Sequence, residues 1–268
     1  MGKLRYEGVE VADRVYRFSD GYVNWFVIDE DGRLTLIDAG IPAHWQGLTR
    51  WLTRTGRSLS DIDAVLVTHG HADHVGIARR VSESAGAPVY VHRGDEARAM
   101  GDGLHKLPKR MVRNMYHPYV AALTLRFAIG GVPRTKSISS LSFFDHKEVL
   151  QVPGRPQAFH TPGHTAGSAC FLLADRNVLF TGDALVTVDF ITGKPGLGIM
   201  PGDRPGDLNV DPDQALDSLA VFDSVTADTI LPGHGEPHRG ELGSVLVAAR
   251  RAGVDWRPYS ADAHGHTH

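Results

Sequence analysis

The most informative stretch of the chain is residues 64–76, which read Ala64-Val65-Leu66-Val67-Thr68-His69-Gly70-His71-Ala72-Asp73-His74-Val75-Gly76. Its first four residues are apolar and include two valines, which predicts a buried strand. Two glycines enclose the polar residues and indicate a turn that leads from the strand toward a helix. Three histidines and one aspartate are therefore expected at the end of a buried strand.

The side chains of this turn are of the types that bind metal ions. Imidazole nitrogens and carboxylate oxygens suit a borderline divalent cation such as zinc. His69 and His71 are two residues apart, so both can point the same way from the strand end, whereas Asp73 and His74 face a different point nearby. A lone histidine is more often a surface residue. Four ligand-type residues within six positions instead favour a site for one or two metals.

Three later motifs strengthen this interpretation. Residues 69–74 resemble the His-x-His-x-Asp-His signature of the metallo-β-lactamase superfamily, and residues 161–168, 180–184 and 231–235 resemble its third, fourth and fifth motifs, in the expected order. The resemblance runs from about residue 15 to residue 234 and points to the glyoxalase II and lactonase-like branch of these metallo-hydrolases. It implies an α/β fold, the αβ/βα four-layer sandwich.

The resemblance also implies the role of each ligand. His69, His71 and His164 would bind the first metal, and Asp73, His74 and His234 the second. Asp183 matches the carboxylate that bridges the two metals, and Asp38 matches an aspartate that supports the metal loop from outside. Asp73 is in addition the catalytic candidate, as a group that orients the nucleophile or passes its proton onward.

The function implied by the resemblance is hydrolysis of a small ester, thioester or lactone by a hydroxide activated between two zinc ions. Iron or manganese could replace zinc. Two alternatives stay open: an oxidoreductase similar to the mononuclear iron persulfide dioxygenases, and a β-lactam hydrolase, although secreted β-lactam-hydrolysing members lack the bridging aspartate. A non-catalytic scaffold is disfavoured because all seven ligand positions are filled.

Size and composition place limits on the partners. At 268 residues with 42% hydrophobic and 22% charged residues, the chain resembles an ordinary globular protein, and we expect one domain over residues 1–268. The net charge of −3 gives no basic footprint for nucleic acid. Residues 1–7 lack the apolar stretch expected of a secretory signal, and we find no run of about 18 apolar residues that could span a membrane. We therefore expect a cytoplasmic enzyme without a membrane span, acting on a small molecule.

Residues 94–144 depart from the family's common core. They contain methionines, aromatic residues, several lysines and arginines, and an apolar run at 121–129. We assign this insertion as a lid over the metal cleft. A contact in a homo-oligomer and an ordinary helical hairpin are the alternatives, and basic amphipathic segments can also touch membrane surfaces. Substrate choice is expected to depend on this insertion and on residues 186–209, where Phe190, Met200 and Asp203 are candidate pocket residues.

The remaining histidines and the cysteine have ordinary expectations. Cys170 lies in an apolar run and is predicted to be a buried core residue. His160 competes with His164 as a ligand, but Pro162-Gly163 favours His164 at the turn. The histidine-rich tail at residues 263–268 is left out of the site because a terminus seldom holds a preorganised site. Surface or packing roles are expected for His92, His105, His117, His146 and His238.

Hydrophobic periodicity and turn residues predict the secondary structure. Strands are predicted at residues 15–18, 24–28, 34–38, 64–67, 89–91, 148–152, 157–160, 167–173, 177–180 and 229–231. Helices are predicted at residues 43–55, 75–85, 211–222 and 241–251.

Overall fold

Two β-sheets face each other, and helices cover their outer faces. The computed structural model describes residues 7–102, 104, 107–200 and 210–254. The first sheet has the strand order β1 to β7, with β1 Val9–Ala12, β2 Val15–Ser19, β3 Asn24–Glu30, β4 Arg33–Ile37, β5 Ile62–Leu66, β6 Val89–His92 and β7 Ser142–Phe144.

The second half of the chain contributes β8 Gln157–His160, β9 Ala169–Leu173, β10 Val178–Gly182, β11 Val186–Val188, β12 Pro195–Gly198, β13 Thr229–Pro232 and β14 His238–Arg239. The second sheet has the order β14-β13-β10-β9-β8, and β11 pairs with β12. The helices are α1 Trp45–Arg54, α2 Ala78–Ala85, α3 Glu96–Ala99, α4 Lys109–Arg113, α5 Pro118–Ile129, α6 Pro212–Ser218 and α7 Leu242–Ala252. None of the described helices has the length and apolar character needed to cross a bilayer.

Alternating side chains of β3 show how the layers form. Trp25 and Val27 pack in one cluster with Leu48 and Trp51 of α1, and Phe26 faces the second sheet, where its ring centroid lies 5.3 Å from that of Phe180. Because both faces of the strand are buried, its sequence is continuously apolar rather than alternating. On the far side, α6 and α7 pack on the second sheet. The four-layer sandwich is thus confirmed.

Parallel pairing brings several strand ends to one edge. β4, β5, β6 and β7 are parallel neighbours, and β10 is parallel to β13. The carboxyl ends of parallel strands lie at the same edge of a sheet. Backbone hydrogen bonds join the two sheets there, because the N–H of Ala169 donates to the carbonyl of Thr68 at 2.8 Å and the N–H of Asn24 donates to that of Gly233 at 2.7 Å.

Two predicted elements differ from the observed ones. The helix predicted at 75–85 begins only at Ala78, because the N–H groups of Gly76 and Ile77 instead donate to the carbonyls of Gly40 and Ala39. The strand predicted at 148–152 is wrong: one bridge joins Val149 to Gln157, and turns follow. Prolines at 153 and 156 have no N–H to donate to a ladder.

The insertion, residues 94–144, starts and ends at the sandwich. Its last strand, β7, pairs with β6 in the first sheet. Between these ends, α4 and α5 bury Met111, Val120, Leu123 and Phe127 in one cluster with Phe190 and other side chains from outside the insertion. Nε of Arg126 in α5 donates a hydrogen bond to Oδ2 of Asp20 at 2.8 Å. The two side chains form an ion pair, in which the Asp20 side chain is wholly buried. The inner face of α5 is thus fastened by packing and by a buried ion pair.

Replacing Arg126 with methionine should lower the free energy of unfolding by about 3–5 kcal/mol, because the buried Asp20 carboxylate would lose its cation. Urea denaturation of the variant and of the wild-type chain measures this difference. Lys136→Met, at an exposed position, is the control and should change stability by less than about 0.5 kcal/mol. A loss at Arg126 no larger than that of the control would show that the buried pair does not fasten the insertion.

Candidate metal centre

The seven predicted ligand residues meet at the common edge of the two sheets. Residues 69–74 follow β5, Asp183 directly follows β10, His234 follows β13, and His164 lies in the turn between β8 and β9. Their potential ligand atoms form two groups, in each of which all atoms lie within 4.8 Å of one another: His69, His71, His164 and Asp183, and then Asp73, His74 and His234. Side chains up to 165 positions apart in sequence are therefore neighbours.

The first group consists of three imidazoles and one carboxylate. Nε2 of His164 lies 3.2 Å from Nε2 of His69 and 3.0 Å from Nδ1 of His71. Oδ2 of Asp183 lies 3.3 Å from Nε2 of His164 and 3.7 Å from that of His69. Tetrahedral ligands at about 2.0–2.1 Å from zinc are about 3.3 Å apart. The donor atoms thus have the spacing of a single coordination sphere.

The second group lies directly beside the first, and Asp183 stands between them. Oδ2 of Asp73 lies 3.5 Å from Nε2 of His234 and 3.9 Å from that of His74. Asp183 approaches the same two imidazoles, with Oδ1 at 3.4 Å from Nε2 of His74 and Oδ2 at 3.4 Å from Nε2 of His234. One carboxylate therefore contacts imidazoles of both groups.

The donor set fits divalent cations. Nε2 of His74 and Oδ1 of Asp183 are buried and have no hydrogen-bond partner among the described residues. Leaving buried polar atoms without partners is costly, and both atoms face the space between the two groups. Nitrogen and carboxylate donors around a buried point are the ligands that zinc and similar ions take.

The protonation of the site follows from burial and from the neighbouring charges. Burial and the nearby His74 hold the pKa of His69 well below its usual value, and burial and His164 do the same for His71. For His74, burial opposes protonation, but Asp183 and Asp38 outweigh it and raise the pKa to about 10. Burial would raise the pKa of Asp183, but His234 and His74 hold it below its usual range. Asp183 is therefore ionised.

Groups behind the site fix the imidazoles. Oδ2 of Asp38 lies 2.8 Å from Nδ1 of His74, and the same carboxylate accepts hydrogen bonds from the N–H and the hydroxyl of Thr68. Asp38 adopts a left-handed backbone with φ of 60°, a strained conformation that surrounding contacts must hold. The supporting position predicted for Asp38 matches this geometry, since outer groups of this kind orient metal-binding histidines.

Two supports were not predicted from the sequence. The buried Asp95, three residues after the end of β6, accepts hydrogen bonds from the N–H of Gly70 at 2.7 Å, from that of Gly167 at 3.0 Å and from the Thr165 hydroxyl at 2.8 Å. It thereby ties the turn of residues 69–74 to the turn that holds His164. The sequence signal that could have identified Asp95 is the Gly94-Asp95 pair, which follows a predicted strand. The second support is the carbonyl oxygen of Tyr22, which lies 2.6 Å from Nδ1 of His234. The sequence could not predict it, because every residue has a backbone carbonyl.

Close packing explains the glycine before His234. A Cβ on Gly233 would lie 2.6 Å from Oδ1 of Asp183 and 2.6 Å from Cε1 of His74. No side chain fits between the ligand loops at this point. Glycine at position 233 is thus required by the site itself.

The other candidates lie outside both groups of ligand atoms. His160 stacks on His92 with 3.7 Å between ring centroids. Cys170 is buried, and burial raises its pKa to about 12, so the thiol stays protonated. Phe190 packs its ring against that of His234 at 4.9 Å, and Met200 is buried in the cluster of the insertion. Asp203, His105 and the histidine-rich tail lie outside the described residues.

Replacing Asp38 with asparagine should weaken metal binding about 10–100-fold, because His74 would lose the carboxylate that orients it. Competition with a coloured chelator measures the affinity. Asp63→Asn, near the amino end of β5 where Asp63 pairs with Arg33, is the matched control and should retain the wild-type affinity. Equal affinities in both variants would contradict the supporting role of Asp38.

Metal binding by the metal-free chain at pH 7.5 should release protons. His74, with a pKa of about 10, is protonated there and must lose its proton to bind a metal, and the raised pKa of His234 acts in the same direction. Affinity should therefore rise with pH, by about tenfold per unit for each proton released. A pH indicator in weak buffer measures the release. Metal binding without proton release would contradict the charges assigned to the site.

Comparisons with known proteins agree with this geometry. The chain is 25% identical over 246 residues to "Probable metallo-hydrolase YflN" of Bacillus subtilis (strain 168), a match that covers 87% of this chain and 88% of the relative. It is 29% identical over 175 residues to a hydroxyacylglutathione hydrolase of Ectopseudomonas mendocina (strain ymp), covering 65% of this chain and 50% of that protein.

Solved structures and a family profile give the same result. The crystal structure of a metallo-beta-lactamase family protein from Thermus thermophilus matches with a TM-score of 0.58 and 26% identity, covering 85% of this chain and 72% of that one. The profile of the metallo-beta-lactamase superfamily matches residues 19–234. With the sandwich fold and the clustered His and Asp side chains, this match shows that the chain belongs to the metallo-beta-lactamase superfamily.

Proposed function

We propose that this protein is a dinuclear zinc hydrolase that cleaves a small ester, thioester or lactone. The observation that carries the proposal is the position of Asp183, whose two carboxylate oxygens lie 3.3–3.7 Å from imidazoles of both groups. A carboxylate so placed can bind two cations at once. His69, His71 and His164 would then hold one ion, Asp73, His74 and His234 the other, and Asp183 both.

Two such ions, when bound, polarise a carbonyl group and lower the pKa of water from about 15.7 toward about 7. The chain's own residues prepare the site for them. The lowered pKa values of His69 and His71 keep these imidazoles neutral, which is the form that binds a metal. Asp183 supplies a fixed negative charge to the pair.

Asp73 is the group we assign to proton movement. Its side chain is 14% exposed, whereas that of Asp183 is 3% exposed, so Asp73 lies closer to the solvent side of the site. Its Oδ2 faces both His74 and His234. A carboxylate at this position can orient the attacking water and take up its proton.

Two observations support the proposed substrate class: the similarity to a hydroxyacylglutathione hydrolase and the aromatic side chains beside His234. The chain spans half the length of the hydroxyacylglutathione hydrolase, so only the class of reaction, removal of an acyl group, is carried over. Phe190 packs on His234, and Tyr119 and Tyr22 lie beside it in the same cluster with their ring centroids 5.3 Å apart. We propose that these rings, with the insertion as lid, bound the acyl side of the cleft.

The test is a panel of small esters, thioesters and lactones offered to zinc-loaded protein, together with metal analysis. We expect two zinc ions per chain and hydrolysis of at least one class. One iron per chain with oxygen uptake and no hydrolysis would instead establish an oxidoreductase. Zinc-loaded protein that leaves the whole panel intact would overturn the proposal.

His71→Ala should lower kcat/KM by at least about 100-fold and remove metal from the first group, because three donors cannot hold the ion as four do. The matched control is His117→Ala, a partly exposed histidine at the start of α5, which should leave activity and metal content unchanged. Full activity in His71→Ala would contradict the ligand assignment.

A further inference from the structure

The outer face of the insertion carries an unusual number of exposed apolar side chains. Of the eleven large hydrophobic residues that are exposed in the described part of the chain, six lie between residues 107 and 129. Tyr116 is 77% exposed, Ile129 71% and Leu125 60%. These six are Leu107, Val112, Met115, Tyr116, Leu125 and Ile129.

The helix α5 is apolar on its exposed face as well as over most of its buried face. Its inner face buries Val120, Leu123 and Phe127 together with Arg126, which is the only charged residue of the helix and points inward to Asp20. Its exposed positions follow the helical repeat and carry no polar group: Pro118, Ala121, Ala122, Leu125, Ala128 and Ile129. A surface helix normally places polar residues on its outer face. The outer face of α5 is therefore suited to an apolar medium.

The charge of the same segment is one-sided. Between Asp102 and Asp145 the chain has seven lysines and arginines and no aspartate or glutamate. Since the whole chain has a net charge of −3, the residues outside this segment sum to −10. Lys109 lies three residues before Val112, so the two share one exposed face of α4. Arg134 and Lys136 are also exposed. Exposed apolar side chains beside exposed basic ones are the features of a segment that lies in the interface of an anionic membrane.

We propose that the face formed by α4, the turn of residues 114–117 and the outer side of α5, here called the docking face, binds the surface of an anionic phospholipid bilayer. The apolar residues would enter the boundary between head groups and acyl chains, and the exposed Lys109 of α4 would meet the lipid phosphates. The protein would bind at the surface and would not cross the bilayer.

The charge distribution favours a bilayer over a second copy of the chain. In a two-fold dimer the same patch meets itself, so the docking face would bring the exposed Lys109 of one copy into the same interface as that of the other. Like charges facing one another are unfavourable. An anionic lipid surface instead supplies the opposite charge, at about 1 kcal/mol for each basic residue near the surface.

The test is co-sedimentation of the full, metal-loaded chain with vesicles of phosphatidylglycerol and phosphatidylcholine or of phosphatidylcholine alone, with sedimentation velocity to measure its mass. We expect binding at least about tenfold tighter to the anionic vesicles, and weaker binding at 0.5 M salt, where charges are screened. The double variant Leu125→Glu/Ile129→Glu should bind at least about tenfold less tightly, because two apolar side chains are lost from the interface.

The matched control is Val247→Glu, on α7 of the sandwich, where Val247 is 56% exposed. It adds an anion at an exposed apolar position outside the docking face and should change vesicle binding by less than about twofold, allowing for the general effect of charge. Circular dichroism confirms that each variant is folded. A wild-type dimer that the double variant converts to a monomer, without vesicle binding, would overturn the proposal in favour of a second copy. A monomer that does not bind anionic vesicles would overturn it as well.

Discussion

The site depends on the burial of one carboxylate, Asp183, between imidazoles of two groups. A buried anion is tolerated only when cations or hydrogen-bond donors surround it. In the metal-free chain that positive charge comes from His74, whose pKa is raised to about 10, and the neighbouring Asp183 also raises the pKa of His234 against the opposing effect of burial. Divalent cations would replace those protons. The position of this carboxylate between the groups is therefore the feature on which the proposed two-metal centre depends.

The sandwich is what brings this carboxylate and its partners together. The first sheet supplies residues 69–74 and Asp38, and the second supplies His164, Asp183 and His234. The two sheets are joined at the same edge by backbone hydrogen bonds, and Asp95 joins the two ligand turns through three more. The apolar layer between the sheets fixes their separation. The ligand distances thus result from packing far from the ligands themselves.

The inner side of the insertion contacts residues that support the metal site, and its outer side is exposed. Its inner face is attached to Asp20, which also accepts hydrogen bonds from the N–H groups of Tyr22 and Val23, and the carbonyl of Tyr22 contacts His234. A continuous chain of contacts therefore runs from α5 to a proposed metal ligand. The outer side of the same helix is the docking face.

The sequence alone identified the family, the candidate ligand residues and most of the fold. The His-x-His-x-Asp-His turn, the three later motifs and the buried apolar runs were sufficient, because ligand types and hydrophobic periodicity are local properties of the chain. Most strands were predicted within a few residues. Only the tertiary structure revealed the role of Asp95, the carbonyl of Tyr22 and the buried pair of Arg126 with Asp20, because each joins residues that are distant in sequence. It also decided that the apolar run at 121–129 exposes one side and buries the other. The uniform hydrophobicity of that helix left its two faces indistinguishable until the packing of the sandwich assigned them.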